Sequence, residues 1–200
     1  MMKKSILLIS ITLLAAGCSS APVRTYFHMA VPAARAGALP EIGKTLFVEP
    51  VDVEPFYNDY RMVYRLSPYE LRFYPRCFWV KKPALMFREA AADFLTGSQA
   101  FAGVSAGPPA AEAELELKMR IRILEEVDGP HNWEASLAMD IEFRNAASGT
   151  ILVTHNFERK TAMKEKKVQA FPESLSRIFF EELRRAVVML SEKLGSQTLD

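Results

Sequence analysis

Two hundred residues, half of them hydrophobic, are enough for one domain with a substantial core. Lys and Arg total 25 against 24 Asp and Glu, a formal charge of +1, which gives no electrostatic case for binding nucleic acid. Beyond the first twenty residues no apolar run reaches the length that spans a bilayer.

In chain order, the amino terminus comes first. Lys3 and Lys4 precede a mostly apolar stretch over residues 5–14, which suits a signal-peptide core and is too short for a spanning helix. Ala15, Ala16 and Gly17 then lead into Cys18. A plain signal peptide with an incidental cysteine would give part of this pattern. The small-small-Gly-Cys ending resembles the lipobox of bacterial lipoproteins, with Ala15 where Leu is commonest. That resemblance implies cleavage between Gly17 and Cys18, a diacylglycerol on the Cys18 sulfur and a further acyl chain on the new amino terminus. The transfer needs a thiol, because a serine hydroxyl is too poor a nucleophile. No other cofactor is implied. Three chains exceed what stable anchoring requires. By resemblance to enterobacterial sorting, Ser19 directs the product to the outer membrane, on its periplasmic face; retention at the inner membrane is the other outcome.

The expected organisation is a signal peptide over 1–17, an anchor and flexible tether over 18–43, and a single periplasmic α+β domain over 44–200. The tether is rich in Ala, Pro, Ser and Gly. Tyr26-Phe27-His28-Met29 interrupts it and suits a short strand docked on the body. Without Lys3 and Lys4 the mature chain has 23 basic residues against 24 acidic, a charge of −1. A lipidated Cys18 leaves Cys77 without an intramolecular partner, and its aromatic surroundings point to burial.

Residues 44–54 read as a strand broken at Pro50. Residues 62–74 read as a hairpin around Ser67-Pro68. Residues 83–95 read as a helix, with Pro83 in its first turn and Gly97 ending it. A short strand is expected over 101–105, then a loop at Gly107-Pro108-Pro109. Next come three strands with period-two alternation. Ala113, Leu115, Leu117, Met119, Ile121 and Ile123 share one face of the first. Trp133, Ala135, Leu137, Met139, Ile141 and Phe143 share a face of the second. Ile151, Val153, His155 and Phe157 continue the pattern after a turn at 145–149. A polar connection is expected over 158–167. From 169 to 194, Phe171, Leu175, Ile178, Phe179, Leu183, Ala186, Val187, Leu190 and Leu194 form a helical stripe that Gly195 ends. The predicted fold is α+β: a mainly antiparallel sheet with two helices packed on one face.

Catalytic patterns are weak. GVSAG at 103–107 matches a nucleophile elbow, with Asp140 and His155 later in the right order. The motif needs a helix immediately after Ser105, and Gly-Pro-Pro forbids one. His28, His131 and His155 have no partner at metal-ligand spacing, so no metal site is expected. Thr161-Ala-Met-Lys164 has the S/T-x-x-K spacing with no supporting motif. No catalytic residue is assigned.

The remaining unusual stretch is the aromatic and arginine-rich segment 57–83. Tyr and Trp with Arg favour binding hot spots, and some of these rings must also be core. The candidate partner interface is Tyr57, Tyr60, Tyr64, Arg65, Tyr69 and Trp79. This same stretch carries a family resemblance. The Cys18 lipobox, Tyr26-Phe27-His28-Met29, LFVEPVDVEPFY at 46–57, VYRLSPYELRFY at 63–74, Trp79 and Pro83 occur in order. Together they resemble the auxiliary lipoproteins of ABC-type transporters, of the PqiC-like kind. Met29 for Leu and the longer YPRCFWVKK spacing depart from that pattern.

The resemblance implies a non-catalytic component of an envelope lipid transport system. Its partners would be a periplasmic MCE-domain protein with an ABC ATPase and permease, and the membrane through its own anchor. A homo-oligomer would suit a piece capping a tube. The alternatives are a periplasmic lipid carrier, an envelope hydrolase using Ser105, and a lipoprotein of a cell-wall or secretion assembly.

Overall fold

The computed structural model describes residues 23–32, 39–107, 113–130 and 132–197. The lipobox with Gly17 and Cys18, and His131, lie outside the described residues.

Among the described residues nine strands form one sheet, with β7 (Leu115–Asp128) as its spine. One edge of β7 pairs antiparallel with β8 (Trp133–Asn145) along its length, and β8 pairs antiparallel with β9 (Ile151–Ala162). The other edge takes three short strands in succession, all parallel to it: β2 (Thr45–Val48), β3 (Asp52–Val53) and β4 (Arg61–Ser67). Pro50 has no N–H to donate, so the ladder lapses there and resumes on the same edge at Asp52. β5 (Glu70–Trp79) closes the expected hairpin with β4, and β1 (Thr25–Phe27) lies parallel along its edge. β6 (Gly103–Ser105) lies parallel outside β2. The long pairings are antiparallel and several short ones are parallel, so the α+β architecture stands with a more mixed sheet than alternation alone indicates.

Two helices, α1 (Pro83–Ser98) and α2 (Ala170–Gln197), cover one face. Leu117, Met119, Leu137, Met139, Ile141 and Phe143 point at them and are buried. Phe171, Leu175, Ile178, Phe179, Leu183, Val187 and Leu190 of α2 answer from above, and Phe87 of α1 meets Phe179 edge-on at 4.9 Å. Burying one such side chain contributes about 1.5–3 kcal/mol, so this two-layer interior is the main source of stability. The segment after β1 docks too: Met29 is buried, and the Ala30 N–H donates to the Ser176 hydroxyl of α2 at 3.3 Å.

Several expectations need correction. α1 continues through Gly97 and ends where Gln99 takes the left-handed conformation, φ 58. α2 likewise runs through Gly195 to Gln197, because packing lower in the helix outweighs one glycine's weak propensity. β9 extends to Ala162, so residues 158–162 are strand and the connection is confined to 163–169. The largest correction is in β7. Ile121 faces Met139 while Ile123 faces Ala138, so Arg122 is an extra residue without an opposite number. Such a bulge moves every later side chain to the other face. Ile123 therefore turns away from the helices, and Leu124 takes the apolar position with 2 % exposure.

Candidate functional site

The bulge also places two consecutive carboxylates inside the protein. Glu125 pairs across the ladder with Ser136, on the face away from the helices. Glu126 pairs with Ala135, on the helix side. Both are essentially fully buried. Glu125 is well served: Arg65 donates to both its oxygens, and the Tyr57 hydroxyl donates to Oε2 at 2.6 Å. Arg65 also reaches the Pro68 carbonyl at 3.2 Å, so one guanidinium ties the hairpin turn to the spine. Burial, together with the adjoining Glu125 carboxylate, pushes the Tyr57 hydroxyl's pKa up and keeps it a donor. Glu126 is poorly served. The Tyr74 hydroxyl donates to Oε1 at 2.8 Å, and Oε2 has no partner among the described residues. Desolvation outweighs that bond and pushes its pKa up to about 7. Burial and then the Glu126 charge also raise the nearby Cys77 thiol.

The expected interface residues divide. Trp79 is core, against Phe171 with ring centroids 5.8 Å apart. Tyr57 is buried beneath Glu125. Tyr64 stacks on Tyr74 at 4.5 Å, half-buried beside Glu126. Arg65 is committed to Glu125. Two of the six are freely presented: Tyr60, half exposed with Lys82 over its ring, and Tyr69, 99 % exposed at the hairpin tip. Phe56, which lay outside the expected set, joins them: it is 41 % exposed and stacks on Phe73 at 4.7 Å. Arg61 also sits over Phe73, at 3.9 Å, while it grips Asp59 and holds that carboxyl at a pKa of about 2. Tyr69 therefore stands at the hairpin's turn, Phe56 lies against its middle, and Tyr60 lies at its open end, where the Trp79 N–H donates to the Tyr60 carbonyl.

On the helix side, Glu182 of α2 is buried and binds His155 of β9 at 2.8 Å, Arg159 at 2.8 Å and Arg185 at 2.9 Å. Burial alone would raise its pKa, but these partners outweigh it and hold it low. His155 is therefore a clasp between helix and sheet. A mainly apolar cavity of about 510 Å³ opens between residues 28–32 and α2, lined by Val31, Pro32, Pro172 and Phe180.

The hydrolase pattern does not assemble. No helix starts after Ser105 within the described residues, and β6 lies at the sheet's far edge from β9. His155 shares the helix-side face with Ile141, whereas Asp140 points the opposite way, toward Arg122. Thr161 is in β9, and Lys164 pairs with Glu173. Among the described residues no three His, Cys, Asp or Glu side chains converge to hold a metal, and no helix is long and apolar enough to cross a membrane. The two buried glutamates were missed from sequence. Their signal was the lapse of alternation at Leu124-Glu125-Glu126.

A family model described as "ABC-type transport auxiliary lipoprotein component" matches residues 27–187. No curated protein matches the chain. Among solved structures, protein XCC0632 from Xanthomonas campestris superposes with a TM-score of 0.74 at 15 % identity, covering 86 % of this chain and 99 % of that one. A second, titled only as an uncharacterized protein, gives 0.67 at 12 % identity, covering 83 % and 97 %. At such identities these two establish the fold alone.

Proposed function

Because the chain belongs to the family of ABC-type transport auxiliary lipoprotein components, we propose that it is a non-catalytic, lipid-anchored adaptor of an envelope lipid transport system. Cys18 carries the acyl chains after cleavage behind Gly17. The body stands in the periplasm and engages an MCE-domain protein whose ATPase and permease lie in the inner membrane. The single observation that carries this reading is the reach of the family match. It begins nine residues after Cys18 and takes in α1, the first 18 residues of α2 and all of the sheet except the start of β1.

The anchor sets the working distance. β1 begins at Thr25, seven residues after Cys18. Extended chain covers at most about 3.6 Å per residue, so the sheet edge stands within roughly 25 Å of the lipidated cysteine. The adaptor is therefore held in a thin layer beside one leaflet, which raises the effective concentration of its surface toward any envelope-spanning partner. Tyr60, Phe56 and Tyr69, spread along the β4–β5 hairpin from its open end to its turn, supply large aromatic area on a sheet mount, as binding hot spots require. Ser19 after the cysteine supports residence at the outer membrane.

The test has three parts. Mass spectrometry of the native protein should find Cys18 as the first residue, carrying acyl mass. Density-gradient fractionation should place it with outer membranes. Affinity purification should recover an MCE-domain protein, and Y60A/Y69A should weaken that recovery about tenfold or more. A first residue other than Cys18, or full recovery by the double variant, would overturn the anchor or the docking surface respectively.

A further inference from the structure

A second cavity, of about 430 Å³, lies on the opposite side of the sheet from the helices, between the β4–β5 turn and the outer faces of β7, β8 and β9. Strand register arranges its floor. Glu125, Ser136 and Lys160 stand side by side across the three strands, and Glu158 is two residues from Lys160 on the same face. Ser136 is 0 % exposed, and its hydroxyl has no hydrogen-bond partner among the described residues. A buried hydroxyl left unpaired is unfavourable, so this one is a vacant donor and acceptor in the pocket's wall, covered until a neighbouring side chain moves aside. Glu125 is the other fully buried polar group there, and it is already saturated by Arg65 and Tyr57. Lys160 and Glu158 form no ion pair with any described residue. Ile123, turned outward by the bulge, and Val127 give the pocket an apolar wall.

The charges choose the ligand class. Arg65 and Glu125 neutralise one another. Among the described residues lining the pocket, that leaves one cation, Lys160, and one anion, Glu158, with strand geometry setting their Cα atoms roughly 6–7 Å apart. A simple anion seated by Lys160 would face Glu158, and a simple cation seated by Glu158 would face Lys160. We propose that this pocket binds a small zwitterion whose acidic group and ammonium are separated by a two- or three-carbon link. The acidic group, phosphate or carboxylate, sits on the Ser136 hydroxyl and Lys160. The ammonium sits on Glu158, and the carbon link lies against Ile123 and Val127. The source is either a free metabolite or the headgroup of a zwitterionic lipid. The proposal does not depend on the transport reading, since it rests on this pocket alone.

The experiment uses the native acylated protein, washed free of lipid in a non-ionic detergent. Calorimetry is run with O-phosphoethanolamine, β-alanine, inorganic phosphate and ethanolamine, and with phosphatidylethanolamine in mixed micelles. Binding of either free zwitterion at least about tenfold tighter than phosphate or ethanolamine, and lost about tenfold in both K160M and E158Q, supports the site with a free ligand. Binding of the lipid but neither free zwitterion, with the same loss in both variants, supports it with a headgroup. Thermal melts of both surface variants keep unfolding separate from lost binding. Phosphate binding as well as the zwitterions, no binding of any zwitterion, or unchanged affinity in the folded variants overturns the proposal.

Discussion

Glu126 makes a sharp test of the bulge, because register, burial and titration are linked at this one residue. Its carboxyl is 0 % exposed, one oxygen has no partner among the described residues, and its pKa rises from 4.5 to about 7. A carboxyl raised in the folded state binds its proton more tightly there than when unfolded. Between pH 4.5 and 7 the folded protein holds a proton that the unfolded chain has released, so stability falls as pH rises through that window. Each pH unit is worth about 1.4 kcal/mol, so the whole interval costs at most about 3.5 kcal/mol. Glu126→Gln keeps an acceptor for Tyr74 and removes the charge. Urea unfolding of both proteins from pH 4.5 to 8.5 isolates this one group, since all other titrations cancel in the difference. The variant should match the wild type near pH 4.5 and exceed it by about 2–3 kcal/mol above pH 7.5. Curves that stay parallel across the range would refute the assignment of Glu126 as a desolvated, half-satisfied carboxyl, and with it the inward turn of the chain after Arg122.

Arg65→Met strands Glu125 as a buried carboxylate and should cost about 3–5 kcal/mol in the same assay, whereas Tyr57→Phe, which leaves the Arg65 pair in place, should cost about 1–2. Leu183→Ala opens a cavity under α2 at a fully buried position and should cost about 3–4 kcal/mol by denaturant unfolding. The Cys77 thiol, raised by burial, should be alkylated more slowly than a free cysteine at pH 8, and the difference should vanish in denaturant. Ser105→Ala should change stability by less than about 0.5 kcal/mol and leave complementation of a deletion strain intact.

Much of the fold is legible because two periodicities are strong. The alternation from Leu115 to Ile121 and from Trp133 to Phe143 requires a sheet with one dry face. The stripe from Phe171 to Leu190 requires a helix to cover it. Helix ends were less legible: Gly97 and Gly195 carry only a local propensity, and the packing of Phe94, Leu95 and Leu190 carries the helices past them. The exposure of the candidate interface residues was legible only in part. Aromatic composition marks segment 57–83 as unusual, but Tyr60 and Trp79 look alike in sequence although one faces solvent and the other Phe171.

Local pattern by itself determined the element types, the two-layer architecture and the resemblance to a lipoprotein family, because each depends on neighbours a few residues apart. Tertiary structure alone decided which edge of β7 receives β2, β3 and β4, and where β7 gains its extra residue. It also decided which charges are buried. Register between strands is a long-range choice, and a slip of one residue at Arg122 decides which of Glu125 and Glu126 faces the helices. No count of alternating residues within a single strand contains that choice, since it is made by the partner strand's hydrogen bonds.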